Sequence, residues 1–204
     1  MAERKVKFST EKMTLAAILT AFVIVFQILG SFIKLGPTFS ITLVLVPIVI
    51  GAALCGIGIG GWLGFVFGMV VLISGDAAAF LAINAPATVL VVLLKGVACG
   101  IAAGAVYKLV SKYNVYLAVV LAAFTCPIVN TGVFTLGSFA FFLDTIGEWS
   151  KGTEYPSALS YLFLGMIGAN FLFELATNIL LCPVIVRLLN ISKKLFRKKT
   201  KKQR

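Results

Sequence analysis

The chain has 204 residues, of which 60% are hydrophobic and 12% are charged. A soluble domain is usually about 45–50% apolar and about 25% charged, and a soluble fold of this length could not keep so much apolar surface away from water. The composition therefore excludes an ordinary soluble domain, a disordered chain and a disulfide-stapled secreted domain. It predicts a single all-α integral membrane domain.

Six apolar segments are predicted to cross the membrane, because a helix needs about 20 such residues to span the hydrocarbon layer. They are residues 13–33, 41–54, 61–73, 86–107, 115–139 and 157–189. A glycine cluster at 56–61 separates the second span from the third, and Pro47 is expected to bend the second span. Lysine and arginine prefer the cytoplasmic side, and their distribution places both termini there.

The formal net charge of +11 arises mainly near the ends of the chain. In a membrane protein this pattern favours contact with anionic lipid over contact with nucleic acid. We therefore divide the chain into a membrane-embedded domain, residues 1–190, and a basic cytoplasmic tail, residues 191–204.

Residues for enzymatic chemistry are scarce. The chain has no histidine and only seven carboxylates, and its four cysteines are far apart in apolar runs. Without histidine, serine–histidine–aspartate triads and zinc-protease motifs are impossible. The sequence also contains no G-x-x-x-x-G-K-[ST] phosphate-binding loop. We predict no catalytic residue, no metal site and no cofactor, and we do not expect an enzyme.

Two charged residues lie inside predicted spans: Lys95 in the fourth and Glu174 in the sixth, at similar depth. A charge at the bilayer centre costs at least about 2.5–3.5 kcal/mol, so both require a reason to be retained. Either they form a structural ion pair, or they line a polar cavity that holds a ligand. Asn170 shares a helix face with Glu174, and Asn84 and Asn130 add amides nearby, which favours the cavity.

Aromatic residues mark two predicted outer loops. Phe39 lies in the loop at 31–40, and Trp149 lies in the loop at 144–156. Such side chains cover or stack on a ligand ring, although Trp149 also fits an interfacial aromatic belt. We include both among the candidate ligand-binding residues.

Small residues recur at helical spacing in three of the predicted spans. Glycines follow one another every fourth residue from Gly56 to Gly68 and again from Gly96 to Gly104. These two stripes indicate either close packing between the third and fourth spans or a smooth surface that slides against a partner. Ala17 and Ala21 form a similar patch on the first span.

With these features the chain resembles the substrate-binding S components of energy-coupling factor (ECF) vitamin transporters, in the group that includes the riboflavin and pantothenate binders. The resemblance extends over about residues 10–190. It rests on the size, the six spans with cytoplasmic ends, the Ala17-x-x-x-Ala21 patch, and a proline and glycine pattern through spans two and three. That pattern comprises Pro47, Gly51, Ala52, Gly56 and Gly64.

The resemblance implies a function in a bacterial cell membrane. Such a protein captures a small vitamin near the outer face and docks, through the small residues of its first span, on a transmembrane coupling subunit driven by two cytoplasmic ATPases. Lys95 favours an anionic vitamin such as pantothenate, whereas the outer aromatic residues suit the ring of riboflavin. The residues also permit two other functions: a self-contained proton-coupled transporter with Glu174 as proton carrier, and a small membrane enzyme or assembly factor.

Overall fold

The computed structural model describes residues 10–32, 43–188, 190 and 191. Within these ranges the regular secondary structure is helical, and no β-strand forms. The helices are α1 (Thr10–Phe32), α2 (Leu45–Cys55), α3 (Ile57–Ile73), α4 (Ala78–Ile83), α5 (Ala85–Val110), α6 (Val115–Phe141), α7 (Leu143–Ser150) and α8 (Ala158–Leu180). The predicted all-α fold is confirmed.

Four of these helices, α1, α5, α6 and α8, are long and apolar enough to cross a membrane. The predicted second and third spans correspond to the shorter apolar helices α2 and α3. At 1.5 Å per residue, the 11 residues of α2 extend only about 16 Å. The architecture is therefore a membrane bundle of four long helices and two shorter ones, with α4 and α7 in two of the connections.

The boundary between α2 and α3 differs from the prediction. Only Gly56 interrupts the helices: it has a φ of 105°, a left-handed conformation that glycine adopts without steric cost. The other glycines of the cluster lie inside α3, so the predicted start of the third span at residue 61 is wrong. Pro47 lies in the first turn of α2, where its missing N–H disrupts no helical hydrogen bond, so the reason for the expected bend disappears.

The last span is also more complex than the single segment predicted for residues 157–189. Its helix α8 ends at Leu180, a turn follows at Leu181, and helical backbone resumes at 182–188. Within α8, the segment Tyr161–Gly168 is a π-helix, a wider form that is often found at functional sites. The proposed basic tail, except for Ile191, lies outside the described residues, so the domain boundary stays a prediction.

The glycine stripes hold α3 against α5. A Cβ atom at Gly60 would lie 2.6 Å from the carbonyl oxygen of Gly100, and one at Gly64 or Gly96 would overlap the facing backbone carbonyl. The two backbones are therefore in direct contact, which is possible only without side chains. These stripes pack inside the bundle, and the interpretation of them as a sliding surface for a partner is wrong.

This antiparallel contact also orients the functional part of the bundle. We call the end at which α1 ends and α5 begins the distal end. It carries α4 and α7, and it lies opposite the ends at which α2 and α5 terminate. Because Gly96 is fixed against α3, the preceding residue Lys95 is held beside α3 and α6 in the distal half.

Candidate ligand-binding site

A cavity of about 150 Å³ lies among α1, α3, α5, α6 and α8 in the distal half of the bundle. Its lining combines charged, amide and aromatic side chains, in contrast to the apolar core beneath it. The charged and amide residues of the lining are Gln27, Asp76, Lys95, Asn130, Asn170 and Glu174. Its aromatic residues are Phe67, Phe80, Phe134 and Phe142.

Lys95 projects into this cavity between two aromatic rings. Its Nζ atom lies 5.5 Å from the centroid of the Phe67 ring and 5.3 Å from that of Phe134. Such cation–π contacts contribute about 0.5–2 kcal/mol each, depending on desolvation. Among the described residues, no carboxylate oxygen lies within salt-bridge distance of Nζ. The ammonium group is therefore held near the cavity by aromatic faces and not by a direct ion pair with Glu174.

Glu174 lines the cavity from α8 and is buried, with only 3% of its surface exposed. The side-chain amide of Asn170 donates to its Oε1 atom at 3.4 Å, and the amide of Asn178 donates to its backbone carbonyl at 2.9 Å. These three residues are four apart and share one face of α8, as predicted from the sequence for Asn170 and Glu174. The amide of Asn170 therefore holds the carboxylate, whereas the amide of Asn178 contacts only the backbone of Glu174.

Gln27 of α1 reaches the cavity from another side. It is 1% exposed, and its Nε2 atom donates to Oδ2 of Asp76, in the turn between α3 and α4, at 2.6 Å. Among the described residues that line the cavity, three buried amide oxygens have no hydrogen-bond donor: Oε1 of Gln27, Oδ1 of Asn130 and Oδ1 of Asn170. A buried polar atom without a partner costs about 1–3 kcal/mol, so the cavity is suited to a ligand that supplies donors.

Aromatic rings form the distal wall of the cavity. The ring of Phe80 on α4 meets those of Phe134, Phe142 and Trp149 edge-on, with centroid separations of 5.8, 5.0 and 5.2 Å. Edge-to-face contact is a preferred arrangement of aromatic pairs. The four rings therefore join α4, α6 and α7 over the polar part of the site.

The family model described as "ECF transporter, substrate-specific component" matches residues 11–186. The chain belongs to this family. The match covers all the apolar helices of the bundle, so the resemblance noted from the sequence is confirmed. No curated protein and no solved structure matches the chain. As a substrate-specific component, the protein is a multi-pass membrane subunit of a transporter.

The structure of this substrate-specific component brings four of the predicted binding residues to one cavity: Lys95, Asn130, Asn170 and Glu174. Asn84 is not among its lining residues. Its side chain instead caps α5 by accepting a hydrogen bond from the backbone N–H of Ala87 at 3.1 Å. An asparagine before a helix serves this structural role well, so its assignment to the binding face is corrected.

Of the two aromatic residues predicted from the outer loops, Trp149 lies among the described residues and Phe39 does not. Trp149 is half-buried behind Phe80 and supports the aromatic wall without lining the cavity. The loop that was predicted around it is partly helical, since α7 covers Leu143–Ser150. Phe39 lies outside the described residues, and its contribution stays a prediction.

Gln27, Asp76 and one phenylalanine each of α3 and α4 line the cavity but were not predicted from the sequence. Gln27 carried a usable signal, because it is the single amide within the apolar sequence of α1. Asp76 carried a weaker one, since carboxylates are common in turns. In contrast to Gln27, Ala17 and Ala21 lie on the exposed side of α1, and they remain candidates for docking a partner.

Proposed function

We propose that the chain is the substrate-capturing subunit of an ECF-type importer in a bacterial cell membrane, and that its cargo is a small vitamin such as pantothenate or riboflavin. The observation that carries this proposal is the polar cavity inside an otherwise apolar bundle. Its buried amide oxygens and Lys95 offer both acceptors and a positive charge to an organic molecule. Membership of the substrate-specific family supports the proposal, because it connects binding in this cavity with transport.

Energy for uptake comes from other subunits in this proposal. The sequence has no phosphate-binding loop, so ATP hydrolysis falls to two cytoplasmic ATPases joined through a transmembrane coupling subunit. The chain itself acts by binding and presenting its cargo, without catalysis. Membrane lipids surround its exposed apolar faces.

The decisive test is to identify small molecules that co-purify with the detergent-solubilised chain, using mass spectrometry, and then to measure uptake in proteoliposomes. We expect one tightly bound vitamin and sustained uptake only when the coupling subunit and ATPases are present with ATP. Sustained uptake by this chain alone, driven by a pH gradient, would instead establish the proton-coupled alternative. Turnover of a lipid or peptide would establish an enzyme.

Substituting leucine at Ala17 or Ala21 is expected to weaken association with the coupling subunit while leaving vitamin affinity unchanged. Both residues are exposed, so added bulk separates α1 from a partner helix without disturbing the core. Co-purification with the coupling subunit measures the first effect, and direct binding measures the second. Ala140→Leu is the matched control, because it adds the same bulk to an exposed position of α6. Normal co-purification of both α1 variants would refute the docking assignment.

A further inference from the structure

We propose that the site takes a small, flexible organic acid that is bound at both ends, with its anionic group at Lys95 and its hydroxyl or N–H donors at Gln27 and Asp76. This inference rests on the proposed function, since it assumes that the cavity holds the transported molecule. It narrows the cargo to an acid without a fused ring system. It also makes Gln27 and Asp76 specificity-determining residues.

The anionic pole follows from the surroundings of Lys95. Among the described residues no carboxylate reaches its Nζ atom, and two aromatic faces hold the ammonium group in position. Aromatic rings stabilise a cation but accept no strong hydrogen bond, so the three donors of the ammonium group remain available to an anion. Glu174 lines the same cavity and attracts the ammonium group from beyond salt-bridge distance, so a carboxylate of the ligand would add the direct contact that Glu174 does not make.

The donor-binding pole follows from the contact between Gln27 and Asp76. Because Nε2 of Gln27 already donates to Asp76, its buried Oε1 is oriented as an acceptor. An ionised carboxylate also only accepts hydrogen bonds. This end of the cavity therefore favours ligand groups that donate, such as hydroxyls or amide N–H groups.

The two poles lie at different depths. Gly96, the neighbour of Lys95, faces Gly64 of α3, whereas Asp76 lies in the turn after α3 ends at Ile73, nine residues or roughly 14 Å further along that helix. A ligand that meets both must extend along the bundle. Asn130 and Asn170 add amide groups to the walls for polar atoms between its ends.

The shape of the cavity disfavours a fused planar ring. Its volume of about 150 Å³ lies below the roughly 300–1,000 Å³ of pockets that bury drug-sized ligands. In addition, the ring of Phe80 is packed edge-on against three other rings, with interplanar angles of 89°, 74° and 72°. These contacts provide a compact wall in place of two parallel faces between which a flavin would stack.

The test compares pantothenate with panthenol, which has a primary alcohol where pantothenate has its carboxylate. Binding to the full-length chain in detergent is measured by calorimetry, with riboflavin as the fused-ring probe. We expect the acid to bind at least about tenfold more tightly than the alcohol, and riboflavin to bind more weakly than either. In Lys95→Met, the acid and the alcohol should bind with similar affinity, whereas Lys151→Met, on the exposed surface, should keep the wild-type ratio. The wild-type comparison decides the inference even if Lys95→Met does not fold.

Asp76→Asn tests the other pole. This substitution is expected to lower the affinity for pantothenate and the affinity for panthenol by a similar factor of about ten, because both molecules carry the same hydroxyl groups at that end. Asp144→Asn on α7, which is exposed, is the matched control and should leave both affinities unchanged. If Asp76→Asn lowers the two affinities unequally, or lowers neither, the assignment of the donor-binding pole is overturned.

Other outcomes separate this inference from the proposed function. Tighter binding of riboflavin, or equal affinities for the acid and the alcohol, overturns the inference and leaves a vitamin-binding subunit in place. If neither pantothenate nor riboflavin binds, the co-purified molecule decides: an unfused acid supports the inference, and an uncharged or fused-ring compound overturns it. Finding no small molecule that binds would refute both the inference and the proposed function.

Discussion

Gly64→Ala is expected to destabilise the bundle by about 3 kcal/mol or more, the upper end of the range for overpacked positions. The added methyl group would overlap the backbone carbonyl of Gly96, and a backbone atom cannot rotate away as a side chain does. Helices α3 and α5 would have to separate along their whole contact, which also displaces Lys95. The midpoint of unfolding, measured for the purified protein in detergent, should therefore fall clearly below that of the wild type.

Gly58→Ala is the matched control on the same helix. A Cβ atom at Gly58 would meet nothing within 4 Å, and this residue is exposed. Its substitution should therefore leave stability unchanged or raise it slightly, because alanine favours the helix more than glycine does. Equal unfolding midpoints for the two variants would show that close contact between α3 and α5 does not limit stability.

The helical architecture was predictable because the membrane imposes a length on every crossing. The apolar runs therefore located α1, α5 and α6 to within a few residues. The break between α2 and α3 was harder to place, because glycine both interrupts helices and allows them to pack closely. Gly56 interrupts the helices, whereas Gly60 allows close packing. The two glycines differ in what faces them: the backbone of Gly100 lies against Gly60, and nothing lies within 4 Å of a Cβ atom at Gly56.

Part of the candidate site was predictable for a similar reason. Lys95, Asn130 and Glu174 lie in apolar runs, where a polar side chain that met lipid would be costly. Their convergence on one cavity follows from that constraint. Asn84 gave a similar signal, but it begins a helix, and there an asparagine is satisfied by the backbone.

The remaining part of the site depends on contacts between distant segments. Asp76 lies 49 residues from its partner Gln27, and nothing in the local sequence of either residue indicates the other. Phe80 belongs to the short helix α4, which no apolar run predicted. Its role in the distal wall arises only when α4, α6 and α7 come together.

Lys95→Met is expected to lower the affinity for pantothenate by about 2 kcal/mol, roughly 30-fold, because the anionic group of the ligand loses a charged hydrogen-bond donor. Stability without ligand should be retained or should increase. A charge inside the bundle is costly, and methionine fills a similar volume beside the rings of Phe67 and Phe134. Calorimetry and the unfolding midpoint without ligand measure these two effects, with the exposed Lys151→Met as control.

A double variant with Glu174→Gln separates ligand binding from a structural role. If Lys95 and Glu174 stabilised the bundle through one another, each single substitution would leave an uncompensated buried charge, and the double variant would regain the lost stability. We expect no full recovery, because no carboxylate among the described residues lies within salt-bridge distance of Lys95, and Glu174 attracts it only from a longer distance. The affinity lost in Lys95→Met should likewise persist in the double variant. Recovered stability in the double variant, together with unchanged affinity in Lys95→Met, would return the lysine to a structural role and remove the anionic end of the site.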